Sequence, residues 1–497
     1  MIDNNKEAIR YARKHYSKKV GFSKWHVLLF VIVFTGAFLR LFRLEENIVF
    51  HGELGHNYLA IKNIMENAQI PLLGPPTVHS WINLGPLFYW LLAPLLYIFD
   101  FNPAIGAYFT AIAGTFVIVI NYFVIERLFN KKAAIISSFL IAVSPAWMGL
   151  AREARFFSLI PILFYPFIYF LAVGIRGSGR HLFWAGLFLG AILNFHLASI
   201  VLIPATLLLL YIKRKNITKK ILIKMFIGFL IPSFPFLVYN LTHKFEPIIK
   251  LSFWIPYRIL GFVGLYPKNI ADLSTISSNI NSLTTLFNTS HVINGGVLGP
   301  LLSLAIVVYI GNKILKTSKN KLSWLVLLTV FFVSYLGIFL HGNPPIHYYM
   351  PIFAFPVIFL SLLLAEIWNK KGKYLVLVLL ALLAFTNFSY YFSDKWFYQP
   401  KDKMVSLLVP YSLQLKTARS IIADANWKEY SFSRIGPFDY YEGDYAQNYR
   451  YLMWWLGNEP VEEADAHYII YEGKEFFPDN EDENIIFRSD DVLVIKK

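Results

Sequence analysis

Residues 374–392 read Tyr-Leu-Val-Leu-Val-Leu-Leu-Ala-Leu-Leu-Ala-Phe-Thr-Asn-Phe-Ser-Tyr-Tyr-Phe, without a charge. A helix needs about 20 apolar residues to cross a bilayer core, and this run is that long. It also divides the chain. From Ser393 to Lys497, 12 Lys/Arg stand against 19 Asp/Glu, a net of −7, whereas the residues before carry +22 and the whole chain +15.

Working back toward the N-terminus, comparable apolar runs fall at 25–42, 82–99, 105–125, 133–150, 156–175, 182–212, 221–241, 297–310, 322–340 and 350–367. Composition agrees. As a soluble protein, 497 residues would make about three domains, yet hydrophobic residues are 56%, charged residues 15% and mean hydropathy +0.49. A soluble surface needs roughly a quarter of the residues charged. Disorder, coiled coil and a cytosolic enzyme are excluded. The chain has no cysteine, which excludes disulfides, Fe–S clusters and thiolate zinc sites. Basic residues sit in short runs between apolar segments without aromatic interleaving, so no nucleic-acid partner is expected. The run at 25–42 lacks a small-residue cleavage site and reads as a retained span.

The positive-inside rule orients the spans. The tail 1–24, with Arg10, Arg13, Lys14, Lys18, Lys19 and Lys24, is expected in the cytoplasm, as are Arg127/Lys131/Lys132, Arg176/Arg180, 213–220, 313–321 and Lys370-Lys371. Two adjustments follow. The run 82–99, broken by Gly85-Pro86 and Pro94, is placed as an interfacial or re-entrant piece. The run 182–212, roughly 46 Å as a helix, is too long for one span and is read as a tight hairpin turning near Asn194-Phe195-His196. The expectation is an all-α polytopic membrane domain over 25–392 with about 11 transmembrane helices. It has a long outer loop at 43–102 and a small extracytoplasmic α+β domain over 393–497. That domain is read as a helix at 411–425 and strands near 467–471 and 491–495.

The outer loop reads Phe50-His51-Gly52-Glu53-Leu54-Gly55-His56-Asn57-Tyr58. Leu54, Tyr58, Ile61 and Met65 then share one helical face, predicting an amphipathic helix on the membrane with Glu53 in its first turn. A carboxylate there suits the helix dipole, and equally suits a general base at the water–lipid boundary. Arg152 and Arg155, three apart, provide positive charge for a phosphate or snorkel to head groups. Glu153 between them is a second carboxylate or their ion-pair partner. His51, His56 and His79, with Glu153, match no strong metal signature and also read as interfacial polar residues. His196 and His347 at outer span ends line a cavity or sit at head-group level. Tyr348, Tyr349 and Trp454-Trp455 suit sugar stacking or an aromatic belt.

Taken together, the first-loop pattern, Pro71-Leu72-Leu73-Gly74-Pro75, Leu84-Gly85-Pro86-Leu87-Phe88-Tyr89 and Ser144-Pro145-Ala146-Trp147 with Ala151-Arg152-Glu153 resemble the C-type glycosyltransferases (GT-C). His196, His347-Tyr348-Tyr349 and Tyr449-Arg450-Tyr451-Leu452 continue the pattern. The nearest branch is that of the protein O-mannosyltransferases and the lipid A aminoarabinose transferase. The resemblance implies a membrane glycosyltransferase that moves a sugar from a polyprenyl-phosphate donor to an acceptor hydroxyl outside the cytoplasm. It implies no tightly bound cofactor and leaves a divalent metal open, since some branches use one. The acceptor is a glycan, lipid or protein. The family's first-loop acid, usually Asp, corresponds to Glu53, here with Gly52 in place of a neighbouring acid. Arg152 and Arg155 would hold the donor phosphate, with His51, His56, His79, Tyr89, His196, His347 and Tyr348 around donor and acceptor. One base and one phosphate clamp imply inversion at the anomeric carbon. The alternatives are a flippase of lipid-linked glycans, which would carry charges mid-span, and a non-catalytic scaffold.

Overall fold

The computed structural model describes residues 24–77, 79, 81–266, 271–293, 295–315, 320–342, 344–393, 397–398, 409–437, 444–478 and 484–497. Residues 1–23 of the basic tail lie outside this set, as do 316–319 of the basic run 313–321. In chain order the helices begin with α1 (Lys24–Leu41), α2 (Gly52–Glu66), α3 (Leu87–Ile98), α4 (Ile105–Leu128), α5 (Lys131–Val143) and α6 (Pro145–Arg152). Next come α7 (Ile160–Gly174), α8 (Gly179–Phe195), α9 (Leu202–Ile212), α10 (Lys219–Thr242), α11 (Glu246–Phe262) and α12 (Leu273–Thr289). The apolar region closes with α13 (Leu298–Leu315), α14 (Lys321–Phe339), α15 (Phe355–Ile367) and α16 (Lys373–Ser393). A C-terminal α+β unit follows: α17 (Tyr411–Ala425), β1 (Ser431–Ile435), α18 (Gln447–Trp455), β2 (His467–Glu472), β3 (Asn484–Arg488) and β4 (Val492–Lys496). Its sheet runs β1-β2-β4-β3, with β1 and β2 parallel and the other pairs antiparallel.

Among the described residues, seven helices are long and apolar enough to span a membrane, or eight if α5 and α6 form one bent span. The expected eleven is not reproduced. That count of seven treats Phe355–Phe392 as one stretch, although α15 and α16 meet where Lys370 and Lys371 leave helical geometry. The run 82–99 yields only the 12-residue α3, with Pro94 inside it, about 18 Å long and well short of a span. The run 182–212 breaks at His196 as expected, but its halves do not form a tight hairpin. α8 packs along α7 and α10, and α9 packs along α14. Gly186 and Gly190 allow the α8–α10 contact: a Cβ on them would come within 2.0 Å of the Met225 carbonyl and 2.4 Å of the Phe229 carbonyl. Small residues four apart permit this approach between helices in lipid.

The α5–α6 break explains two buried arginines. Proline at 145 forces Ser144 out of helical geometry, and the two helices bend by 61°. The carbonyls freed at the end of α5 must be satisfied inside the protein. Arg40 of α1 donates to the oxygens of Ile141 (2.9 Å) and Ala142 (3.3 Å), and the Tyr391 hydroxyl donates to Val143 (2.9 Å). Arg152, at the end of α6, returns the service to α1. Its Nη1 donates to the carbonyls of Leu39, Arg40 and Phe42 at 3.0–3.1 Å, and its Nη2 to Arg43 at 3.3 Å. Arg152 thus caps α1, which carries Arg40, and Arg40 caps α5, the helix that Pro145 separates from α6.

The amphipathic face of α2 is buried, with Leu54, Tyr58 and Ile61 at 4% exposure or less. What covers it differs from the expectation: α2 does not rest on a bilayer but lies against α18 of the C-terminal unit. Tyr58 meets Tyr451 edge-on at 5.2 Å, Lys62 pairs with Glu459 at 2.8 Å, and Gln414 Nε2 donates to the Phe50 carbonyl at 2.7 Å. Trp454 stacks edge-on against Phe101, and Trp455 Nε1 donates to the Asp100 carbonyl, so both tryptophans belong to this junction. At Gly55 an added Cβ would stand 2.4 Å from the Asn448 nitrogen. Gly55→Ala is therefore expected to destabilise the junction by about 2 kcal/mol through overpacking. The check is limited proteolysis, in which the C-terminal unit should be released faster than from wild type.

Candidate active site

The site begins at the α2 N-terminus. His51 caps the helix, its Nδ1 accepting from the Leu54 N–H at 3.4 Å. Burial, and then the charge of Arg155, hold His51 well below its ordinary pKa. It is thus a neutral imidazole with its proton on Nε2. That atom is buried with no hydrogen-bond partner among the described residues. Glu53, half-buried in the first turn, lies beside Tyr89. Burial first, and the Glu53 carboxylate second, keep the Tyr89 hydroxyl protonated above its usual range, and that hydroxyl donates to Asn57 Oδ1 at 2.9 Å. His56 sits half-buried one turn beyond Glu53.

Arg155 is the basic member of this group. The expectation that it stands one helical turn from Arg152 is corrected, because α6 ends at Arg152 and both Glu153 and Arg155 are extended. Arg152 instead donates to four main-chain carbonyls at the end of α1. Of the two readings of Glu153, the structure has the ion pair, with Glu153 Oε2 2.9 Å from Arg155 Nε. Arg155 also lies over the Phe157 ring at 5.7 Å. Phe157 stacks on His347 at 5.5 Å, and His347 meets His196 at 5.2 Å. Burial and then Arg155 lower His347 to about 4, and burial and then His347 lower His196 to about 3. These imidazoles are neutral, so the positive charge here resides on arginine.

Tyr348 carries the cluster on. It lies 5.1 Å from His196 and 4.9 Å from His341. Trp254 of α11 then bridges His341 (5.7 Å) and His79 (5.4 Å), and His79 stacks on Trp81. A second cation enters through Arg258, whose Nη2 donates to the His341 carbonyl and lies 3.2 Å from His341 Nδ1. Burial and then Arg258 lower His79, and the same two causes with His79 lower His341 to about 4. His51, His56, His79 and Glu153 are not gathered as metal ligands; among the described residues no three His, Asp or Glu side chains could hold an ion together.

A family model described as dolichyl-phosphate-mannose-protein mannosyltransferase matches residues 83–239. Among solved structures, ArnT from Cupriavidus metallidurans bound to undecaprenyl phosphate aligns over 96% of this chain and 98% of its own, at 9% identity and a TM-score of 0.60. The chain shares the fold of that protein. The archaeal oligosaccharyltransferase AglB from Archaeoglobus fulgidus, in complex with an inhibitory peptide and a dolichol-phosphate, aligns over 90% of this chain and 69% of its own, at 13% identity and a TM-score of 0.54. No curated protein sequence matches. Within this shared fold, the stretch matched by the family model carries Tyr89, Arg152, Glu153, Arg155 and His196. Glu53, His51 and His347 come from either side of it.

Sequence reasoning missed Arg258, Trp254 and His341. The signal was present in part. Trp254 and Arg258 are four apart, on one face of a helix in the long segment after α10. Their meeting with His341, 83 residues on, has no sequence signature.

Proposed function

We propose that this protein transfers a sugar from a polyprenyl-phosphate donor to an acceptor hydroxyl, on the face of the membrane where Glu53 lies. One observation carries the reading: the first turn of α2 carries a carboxylate, Glu53, beside a capping imidazole, His51, whose Nε2 has no hydrogen-bond partner among the described residues and which feels the charge of Arg155. ArnT and AglB, which share the fold, are known with undecaprenyl phosphate and a dolichol-phosphate bound. In the proposed reaction the Glu53 carboxylate takes the proton of the acceptor hydroxyl as its oxygen bonds to the anomeric carbon. The bond from that carbon to the phosphate oxygen breaks, and polyprenyl phosphate leaves as a monoester. Arg155 and His51 Nε2–H hold the charge that gathers on it. The leaving group is weakly basic and needs no general acid, and a single displacement inverts the anomeric centre.

The test is transfer by the purified full chain from a panel of polyprenyl-phosphate hexoses, read as release of free polyprenyl phosphate that depends on acceptor. Absence of release from every donor would overturn the reading. Arg155→Gln is expected to raise the donor KM about tenfold, one charge-assisted hydrogen bond lost, with a smaller effect on the acceptor KM.

We propose further that the N-terminus and the loops rich in Lys/Arg face the cytoplasm, placing Glu53 and the C-terminal unit outside. The chain has no native cysteine, so single cysteines report orientation directly. A cysteine at exposed Asn67 should react with an impermeant maleimide on intact cells, and one at Lys371 only after lysis. The reverse pattern would sink the orientation.

A further inference from the structure

A cavity of about 540 Å³ opens where the end of α1, the start of α4 and α17 meet. None of the residues of the Glu53 cluster lines it. Its floor is apolar, made by Leu41, Leu44 and Leu415. Leu41 continues a stripe of exposed residues, Phe30, Phe34 and Phe38, along α1. That stripe faces lipid if α1 spans the membrane, so the floor is continuous with the bilayer interior.

The walls carry opposite charges on opposite sides. Lys416 and Arg419 stand one turn apart on α17, both exposed; Glu45 lines the same cavity from the segment after α1. Among the described residues none of these three forms a salt bridge, whereas neighbouring Arg43 and Glu46 neutralise each other. Tyr411 lies between the two sides: Glu45 raises its pKa and Arg419 lowers it, with burial the larger cause. Tyr108 closes the wall from α4. An anion alone would meet the Glu45 carboxylate, and a cation alone would meet Lys416 and Arg419. A ligand carrying both charges, and tails for the floor, satisfies all three groups. The volume lies within the range of small-molecule sites.

We propose that this cavity seats the head group of a zwitterionic aminophospholipid. The phosphate lies against Lys416 and Arg419, the primary ammonium donates to Glu45, and the acyl chains run down the exposed face of α1. Such a lipid would tie the C-terminal unit to the bilayer. The proposal stands whether or not Glu53 is the base.

The test is native mass spectrometry of the full chain from nanodiscs containing equal parts phosphatidylethanolamine, phosphatidylglycerol and phosphatidylcholine. Phosphatidylethanolamine should be retained about tenfold over phosphatidylcholine, whose trimethylammonium has no hydrogen to donate, and over phosphatidylglycerol, which has no ammonium. Glu45→Gln should abolish the preference over both while leaving phosphatidylglycerol bound. Lys416→Gln with Arg419→Gln should lower retention of both phosphatidylethanolamine and phosphatidylglycerol. Enrichment of phosphatidylglycerol in wild type, or a lipid profile unchanged by these surface variants, would overturn the proposal. Free phosphoethanolamine, which lacks tails, should not compete at millimolar concentration; if it displaces the lipid's signal fully, the pocket belongs to a soluble zwitterion instead.

Discussion

Glu53→Gln is expected to lower kcat by about 10³-fold, within the span that a positioned general base contributes, while the donor still binds. Glutamine preserves the shape and the first-turn position but cannot accept the acceptor's proton. The change leaves His51 Nδ1 on the Leu54 N–H and leaves Tyr89 on Asn57, so the pocket should keep its form. Donor affinity, measured by binding of a non-transferable polyprenyl phosphate, should therefore shift less than twofold, well under the 1.4 kcal/mol that marks a tenfold change. Equal transfer by both proteins would remove Glu53 from the base role. Glu53→Asp restores the acid more usual in the family this loop resembles, and draws the carboxylate back by about 1 Å. A shift of that size can cost up to about 10² in rate when the geometry is set for the longer side chain. Activity of Glu53→Asp between those of Glu53→Gln and wild type is the expected order.

Arg152→Ala is expected to remove the folded protein rather than its donor affinity. Four carbonyls around the end of α1 accept from this guanidinium. Stranding even two of them costs roughly 2–6 kcal/mol, a large part of the stability of an ordinary domain. The measurement is the yield and thermal midpoint of detergent-solubilised protein. Lysine at this position carries the charge but cannot span four acceptors with one ammonium, so Arg152→Lys should recover only part of the loss. If Arg152→Ala instead folded normally and bound donor weakly, the guanidinium would be reaching substrate after all. Arg155→Gln supplies the contrast: the Arg155 contacts described above are an ion pair with Glu153 and the face of Phe157, and its loss is expected to spare folding.

The comparison of these two arginines shows where sequence reasoning stops. Both were legible as cations near the end of an apolar run. Local pattern placed Glu53 in the first turn of a helix, put Leu54, Tyr58 and Ile61 on its buried face, and foresaw that Gly85-Pro86 and Pro94 would shorten α3. It also foresaw a helix over 411–425 and strands near those observed as β2 and β4. These depend on periodicity and backbone chemistry within a dozen residues. Whether a guanidinium reaches a ligand or a carbonyl depends on which backbone groups another helix leaves unsatisfied, here more than 100 residues away. The same limit hid α18 as the cover of α2, since an apolar face does not announce whether lipid or protein will bury it. It hid Arg258 too, whose place in the cluster comes from α11 folding over His341. The run 182–212 was misread for a related reason: an apolar run of 31 residues does not say how its halves will part once broken.

The capping between α1 and the broken pair α5–α6 bears on how the chain is built in the cell. Arg40 takes its acceptors from Ile141 and Ala142, which emerge about a hundred residues after it, many seconds later at ordinary translation speeds. Until then α1 holds a guanidinium without those partners, an unfavourable guest in hydrocarbon. The newborn helix must sit displaced, its arginine stretched toward head groups or sheltered by the insertion machinery. It settles to its final depth only when the proline-broken pair arrives. Biogenesis is thus ordered: α1 enters well before the helix that seats it.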